Sequence, residues 1–358
     1  MREDAVELAY KPDFEDAKKY WRAYWAGEVI DRPCICLRTS RPDPRPIAWP
    51  PGLNAFHDPD DIMPLVDQAL SQQYWLAEAV PYFQINFGPD QFAAWLGAEL
   101  HYESSSGDTS WSVPMVNDWD TDAREIDHPH GIWWEKALDY FRRAAKYADG
   151  KFLLGFPDFH SNMDALSALR GPQNLCVDLW DVPEAVDRAM IRARKAFAPT
   201  FEQIEEAGRM PGRGYIGWLP FYSEGRFAVL QCDFACMVSP EHFRRWILPA
   251  LEEESSYLDN AVYHYDGPDA LVHLQDVLSI AGIHSIQWTP GTGNPPPIEW
   301  MDLLKEIKKA GKGLYLGASP DEVKIIHREL GPEGILYDTW APSIKEADDL
   351  LAWLKANT

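Results

Sequence analysis

Short apolar runs alternate along the chain with longer stretches in which apolar side chains recur every three or four residues. In residues 13–26, Phe14, Ala17, Tyr20, Trp21 and Tyr24 share one stripe, the spacing of a helix with one buried face. The run Pro33-Cys-Ile-Cys-Leu-Arg38 then predicts a strand. Further helices are expected over 60–79, 136–147 and 183–207, the last entered by a proline where no N–H is needed. Strands are expected over 82–86 and 152–156. The second half alternates more regularly. Strands over 227–231, 260–264, 283–287, 313–316 and 335–337 are separated by helices over 239–257, 269–279, 298–310 and from 319 to near Gly331. Ser239 is a candidate N-cap, Ser319-Pro-Asp-Glu322 and Ser343-Ile-Lys-Glu346 read as capping boxes, and Gly311 closes a helix.

Strands that are mostly followed by helices imply a parallel sheet. About eight such units in 358 residues favour an α/β fold of the closed (β/α)8 TIM-barrel type. An open doubly wound sheet is the weaker choice, because no Gly-rich dinucleotide fingerprint follows any strand. The expected layout is a single domain over 1–358 with a helical extension over about 1–30. Two segments exceed the bare barrel. One is a hairpin near 98–114; the other is an aromatic, Gly/Pro-rich insertion near 208–225, a loop or a second hairpin placed to cover one mouth.

Composition narrows the functions. The chain has 33 basic and 56 acidic residues, a net charge of −23 that repels nucleic acid and anionic membranes. No apolar run reaches the roughly 18 residues of a spanning helix. The opening Met1-Arg2-Glu3-Asp4 lacks the apolar stretch of a signal peptide, so a cytoplasmic location is expected. Five cysteines without a regular framework read as core packing. Serine-hydrolase, P-loop and His-Glu-x-x-His motifs are absent.

Barrel chemistry sits where strands end, and that rule picks out residues without any motif. Arg38, Arg41 and Arg45 follow the first strand, Asn86 the second, and Asp158, His160 and Asn162 the third. Asp233 follows the fourth, His264 and Asp266 the fifth, Gln287 and Trp288 the sixth, and Asp338 and Trp340 the last. Within Tyr263-His-Tyr-Asp-Gly-Pro268, positions i and i+2 of an extended segment face one side, so His264 and Asp266 can address one atom. They form half of a metal site or an acid/base pair; the competing reading is a plain Asp-Gly-Pro turn beside a buried histidine. Arg38 and Arg41 are a candidate carboxylate clamp. Trp218, Tyr222, Trp288 and Trp340 are candidates for a flat apolar wall against a ring-shaped substrate.

Several segments resemble the superfamily of uroporphyrinogen decarboxylases, corrinoid-dependent methyltransferases and cobalamin-independent methionine synthases. They are Arg32-Pro-Cys-Ile-Cys-Leu-Arg-Thr-Ser-Arg41, Asp164-Ala-Leu-Ser-Ala-Leu-Arg-Gly171 with Asp181-Val-Pro-Glu184, Ser239-Pro-Glu-His-Phe243, and His264-Tyr-Asp-Gly267. The resemblance implies the same barrel. It also implies a zinc site in the methyl-transferring branch, where His264 matches the family histidine and Asp266 stands in place of a cysteine. Gln287 falls near an acidic position and Asp338 near a last cysteine. Oxygen donors in place of sulfur favour a harder or borderline ion over a thiol-activating zinc. In the decarboxylase branch, Arg38 matches a propionate-binding arginine, and Asn86 stands about where an aspartate orients the pyrroles.

The leading expectation is therefore a metal-assisted methyl (group) transferase with His264, Asp266, Asp233 and His160 as its chemistry. Its metal ligands would be His264, Asp266 and Asp338, the ion zinc or a harder divalent one. Arg38, Arg41, Asn86, Trp218, Tyr222, Gln287, Trp288 and Trp340 would bind a small ring-shaped, aromatic or sugar-like substrate, with a corrinoid protein as a candidate partner. The alternatives are a decarboxylase or other lyase acting on a carboxylated ring, and a non-catalytic sugar- or aromatic-binding barrel.

Overall fold

A computed structural model describes residues 6–103 and 109–358. Eight short strands run parallel to their hydrogen-bonded neighbours within a mixed α/β fold: β1 (Cys34–Ser40), β2 (Tyr82–Gln84), β3 (Leu153–Gly155), β4 (Phe227–Leu230), β5 (Asn260–Asp266), β6 (Ser285–Thr289), β7 (Gly313–Gly317) and β8 (Ile335–Trp340). Cys34, Ile35, Cys36 and Leu37 are all buried, as are all four residues of β4. Burial on both faces is the state of a parallel strand covered by helices, and it explains why these stretches read as unbroken apolar runs.

The hydrogen-bonded order is β4-β5-β6-β7-β8-β1, with β2 and β3 paired separately. Two insertions stand between these groups. Gln73–Ala77 pairs antiparallel with β1, from Cys36 opposite Ala77 to Ser40 opposite Gln73. The hairpin of Tyr215–Ile216 and Tyr222–Ser223 lies next to β3, where the Phe156 amide donates to the Ile216 carbonyl at 2.6 Å. Among the described residues the ladders do not form one continuous ring.

Helices form where the periodicity places them. Ile132–Ala148 buries Trp134, Ala137, Leu138, Phe141, Ala144, Ala145 and Ala148, a stripe at three- and four-residue steps. Phe14–Trp25 and Pro183–Ala207 match their expected spans closely. Ser319 and Glu322 make the reciprocal capping box, and Ser239 and Ser343 each accept an amide of the first turn. Among the described residues, no helix is long and apolar enough to cross a membrane.

Three expectations change. The helix expected over 60–79 ends at Ser71, and Gln73–Ala77 is a strand. Its aromatic residues have the β preference, and its Trp75 and Ala77 carbonyls also accept the buried Lys11 ammonium at 3.1 and 2.6 Å. The helix over 239–257 widens into a π turn at Phe243–Ile247, beside Pro249, which has no N–H to continue the regular pattern. The segment near 208–225 is a hairpin rather than an open loop, and its Trp218 packs on His264. Its hairpin is buried, with Phe221 packed on Trp21, Tyr24 and Phe227. The hairpin expected near 98–114 pairs Glu99–His101 with Trp111–Val113, and its tip, 104–108, lies outside the described residues.

Candidate functional site

Alternation along β5 turns His264 and Asp266 to the same face, while Tyr263 and Tyr265 point into the packed layer outside. Asp233 joins them from the short turn Asp233–Met237 that follows β4. One potential ligand atom from each of Asp233, His264 and Asp266 lies within 4.8 Å of the others. Gly267 makes the next step possible, with a left-handed φ of 79° that carries the chain away from Asp266.

The second sphere fixes this arrangement. The Gln287 Oε1 lies 2.6 Å from His264 Nδ1. An amide oxygen only accepts, so the imidazole proton sits on Nδ1 and Nε2 is left with its lone pair free for an ion. The Trp218 indole meets the His264 ring edge-on, with centroids 5.1 Å apart. Asp164 is buried beneath the Asp233 turn and accepts the amides of Asp233 at 2.9 Å and Phe234 at 2.8 Å. The turn can therefore shift only by breaking two hydrogen bonds to a carboxylate.

His160 lies at the centre of the acidic residues. Its Nε2 is 3.2 Å from Asp158, and its Nδ1 is 3.7 Å from both Asp164 and Asp233. Burial alone would strip the ring of its proton, but the three carboxylates outweigh it and push the pKa up to about 10. Burial, with the charge of Asp233, raises Asp164 to about 6, and burial also raises Asp233 against the pull of His160 and His264. One level further in, the buried Glu254 carboxylate accepts the Ser161 hydroxyl at 2.7 Å and the Asn162 amide; burial pushes it up to about 8.

The remaining expected site residues divide. Asp338 is not among the three clustered donors: it accepts Arg38 Nη2 at 2.5 Å and the Tyr315 hydroxyl at 2.8 Å. Its charge is already matched by a guanidinium, and Asp233 takes the place beside His264 that was expected for Asp338. A register row connects the two groups, because His264 pairs with Gln287 and Gln287 with Tyr315 on successive strands. Gln287 and Tyr315 also line a cavity of about 510 Å³ with Thr289, Thr292 and Asn294. Trp288 borders this cavity and packs on Trp300 and Tyr265. Trp340 is half exposed at the end of β8, its ring 6.0 Å from the Arg38 guanidinium.

Arg41 does not join Arg38 in a clamp: its Nε donates to the Gln73 carbonyl and its guanidinium lies over Tyr74. Asn86 turns back on its own loop, accepting the Gly88 amide at 2.8 Å. Tyr222 is buried against Phe14 and donates to the Arg213 carbonyl, so it cannot wall a cavity at the strand ends. Residues that the sequence reading did not single out for the site are Asp164, Glu254 and Tyr315. Tyr315 had a usable signal, since alternation along 313–316 places it on the same face as the strand-end polar residues. Asp164 and Glu254 had none, because both occupy helix positions that also suit structural roles.

No family model and no curated protein matches this chain. Among solved structures, a methyltransferase from Methanosarcina mazei is similar, with a TM-score of 0.60 and 15% sequence identity over 95% of this chain and 98% of that one. At that identity the likeness is one of architecture: the two chains share an α/β fold over nearly their whole lengths.

Proposed function

We propose that this chain is a metal-assisted methyl (group) transferase, built on a (β/α)8 barrel whose ladders are interrupted by the insertions at 73–77 and 215–223 and working in the cytoplasm. The fold-level likeness to a methyltransferase supports the reaction class. The observation that carries the metal reading is the convergence of Asp233, His264 and Asp266 within 4.8 Å. One imidazole and two carboxylates suit zinc or a harder divalent ion such as manganese or iron(II), and the set has no thiolate. Such an ion would act as a Lewis acid toward the oxygen or sulfur atom that takes or gives the methyl group.

The protein's own groups have definite tasks in this reading. Gln287 holds the His264 tautomer that presents Nε2, and Asp164 holds the turn that presents Asp233. His160, protonated at neutral pH, offsets the carboxylates and is placed to give a proton to a leaving group. The cavity beside Gln287 and Tyr315 receives a small substrate, with Trp288 as its aromatic surface, while Trp218 packs on His264. A corrinoid protein is the methyl donor or acceptor proposed for this site.

A second reading, carboxy-lyase chemistry, draws on Arg38, whose buried Nε has no hydrogen-bond partner among the described residues. Metal analysis separates the two. Purified protein is expected to hold stoichiometric divalent metal, and His264→Ala is expected to lose it together with methyl transfer. Release of CO₂ from a carboxylated ring by metal-free protein would replace the proposal with the lyase reading.

A further inference from the structure

The end of the sheet opposite the candidate site holds a second cavity, of about 410 Å³, at the N-terminal ends of β6 and β7. It is lined by His284, Lys308, Lys312 and Trp25, and beside Gly311 its wall is open. Lys308 Nζ donates to the Leu330 and Glu333 carbonyls, both at 2.7 Å, and Lys312 Nζ to the Ile280 and Ile283 carbonyls at 2.6 and 2.7 Å. An ammonium carries three N–H groups, so each lysine retains one donor. Neither lysine makes an ion pair among the described residues, although acidic residues outnumber basic ones 56 to 33. Glu333 is the acidic residue in the lining.

His284 completes the polar lining. Its Nδ1 accepts the Ala261 amide at 3.3 Å, and its ring N–H is engaged by the Gly282 backbone. Burial and the adjacent Lys312 charge keep the ring neutral. Two partly buried ammonium groups therefore border one cavity, each with a donor to spare and with Glu333 as the acidic residue beside them. A tetrahedral dianion, with acceptor oxygens on several sides, suits ammonium donors on separate walls better than a planar carboxylate does.

We propose that this cavity binds the phosphate group of a small phosphorylated molecule, at a site separate from the chemistry at the opposite strand ends. The site is independent of the proposed metal, because none of its lining residues belongs to the acidic cluster. The test is isothermal titration of the full chain with inorganic phosphate, with acetate as the comparison ion. Phosphate is expected to bind at least tenfold more tightly than acetate, with Lys312→Met and Lys308→Met each weakening it at least tenfold and His264→Ala leaving it unchanged. Equal affinity for both ions, or phosphate affinity that survives both lysine substitutions, overturns the proposal. The lysines also cap carbonyls; where a variant loses its fold, wild-type crystals soaked in phosphate decide. Density bridging Lys308 and Lys312 upholds the site, and an empty cavity rejects it.

Discussion

His160→Gln tests the electrostatics of the acidic cluster. The ring is surrounded by Asp158, Asp164 and Asp233, which outweigh its burial and move its pKa from 6.5 to about 10. At roughly 1.4 kcal/mol per unit, a shift of this size corresponds to as much as about 5 kcal/mol of preference for the protonated folded state. Because the folded pKa lies above the unfolded one, that stabilisation is complete below pH 6.5. It shrinks as pH rises and is lost by about pH 10, with a slope of up to about 1.4 kcal/mol per pH unit. Glu254 is raised as well, from 4.5 to about 8, so its contribution has the same sign but is exhausted near pH 8. Above pH 9 the buried Cys34, Cys36 and Cys232 thiols, also raised by burial, add losses of the same sign, so the difference between wild type and variant is what isolates His160. Urea unfolding of metal-free wild type and variant, at fixed ionic strength and in half-unit pH steps, gives the difference directly. The wild-type advantage is expected to fall by several kcal/mol between pH 6.5 and 10. A difference that stays flat across that range would refute the claim that the three carboxylates hold an imidazolium.

Other substitutions probe separate parts of the structure. Glu254→Gln keeps an acceptor for Ser161 and removes a charge that burial opposes, so stability at pH 9 is expected to rise by roughly 2–5 kcal/mol, and a loss of stability there would contradict the assignment. Gln287→Leu removes the acceptor that orients His264 and is expected to weaken divalent-metal affinity about 10- to 100-fold while leaving the fold intact, as measured by competition with a chromophoric chelator. Arg32→Met strands the buried Glu78 carboxylate, which Arg32 holds through two bonds of 2.6 and 2.8 Å; a destabilisation of about 3–5 kcal/mol is expected in urea at pH 7, and a change below 1 kcal/mol would show that the pair is not buried as described.

Much of the architecture is legible in the chain because parallel strands and capped helices leave strong local marks. The continuous apolar runs of β1 and β4, the serine caps at 239, 319 and 343, and the helical stripe of 132–148 all follow from burial and end chemistry that neighbouring residues impose. The strand at 73–77 is harder to read. Its pattern fits either period, and pairing with β1, some 40 positions earlier, decides between them. The hairpin near 215–223 is rich in Gly and Pro and reads as a loop, yet its aromatic residues bury themselves between strands.

The site divides along the same line. The i, i+2 spacing brings His264 and Asp266 together, and the strand-end rule brings Asp233 to them. Asp338 follows that rule too, but its partner is decided by Arg38, 300 residues away, whose guanidinium reaches it before any ion can. Arg41 satisfies the strand-end rule and Tyr222 the chemistry of an aromatic wall, yet each bonds a backbone carbonyl elsewhere, that of Gln73 for Arg41 and that of Arg213 for Tyr222.

In the proposed function Asp233, His264 and Asp266 hold one ion. Anomalous diffraction at the manganese edge, from crystals grown with manganese(II), shows whether they do. A single strong peak is expected about 2.0–2.3 Å from His264 Nε2 and from one oxygen of each aspartate. No peak at that position, or a peak bound by Asp338 without His264, would contradict the account.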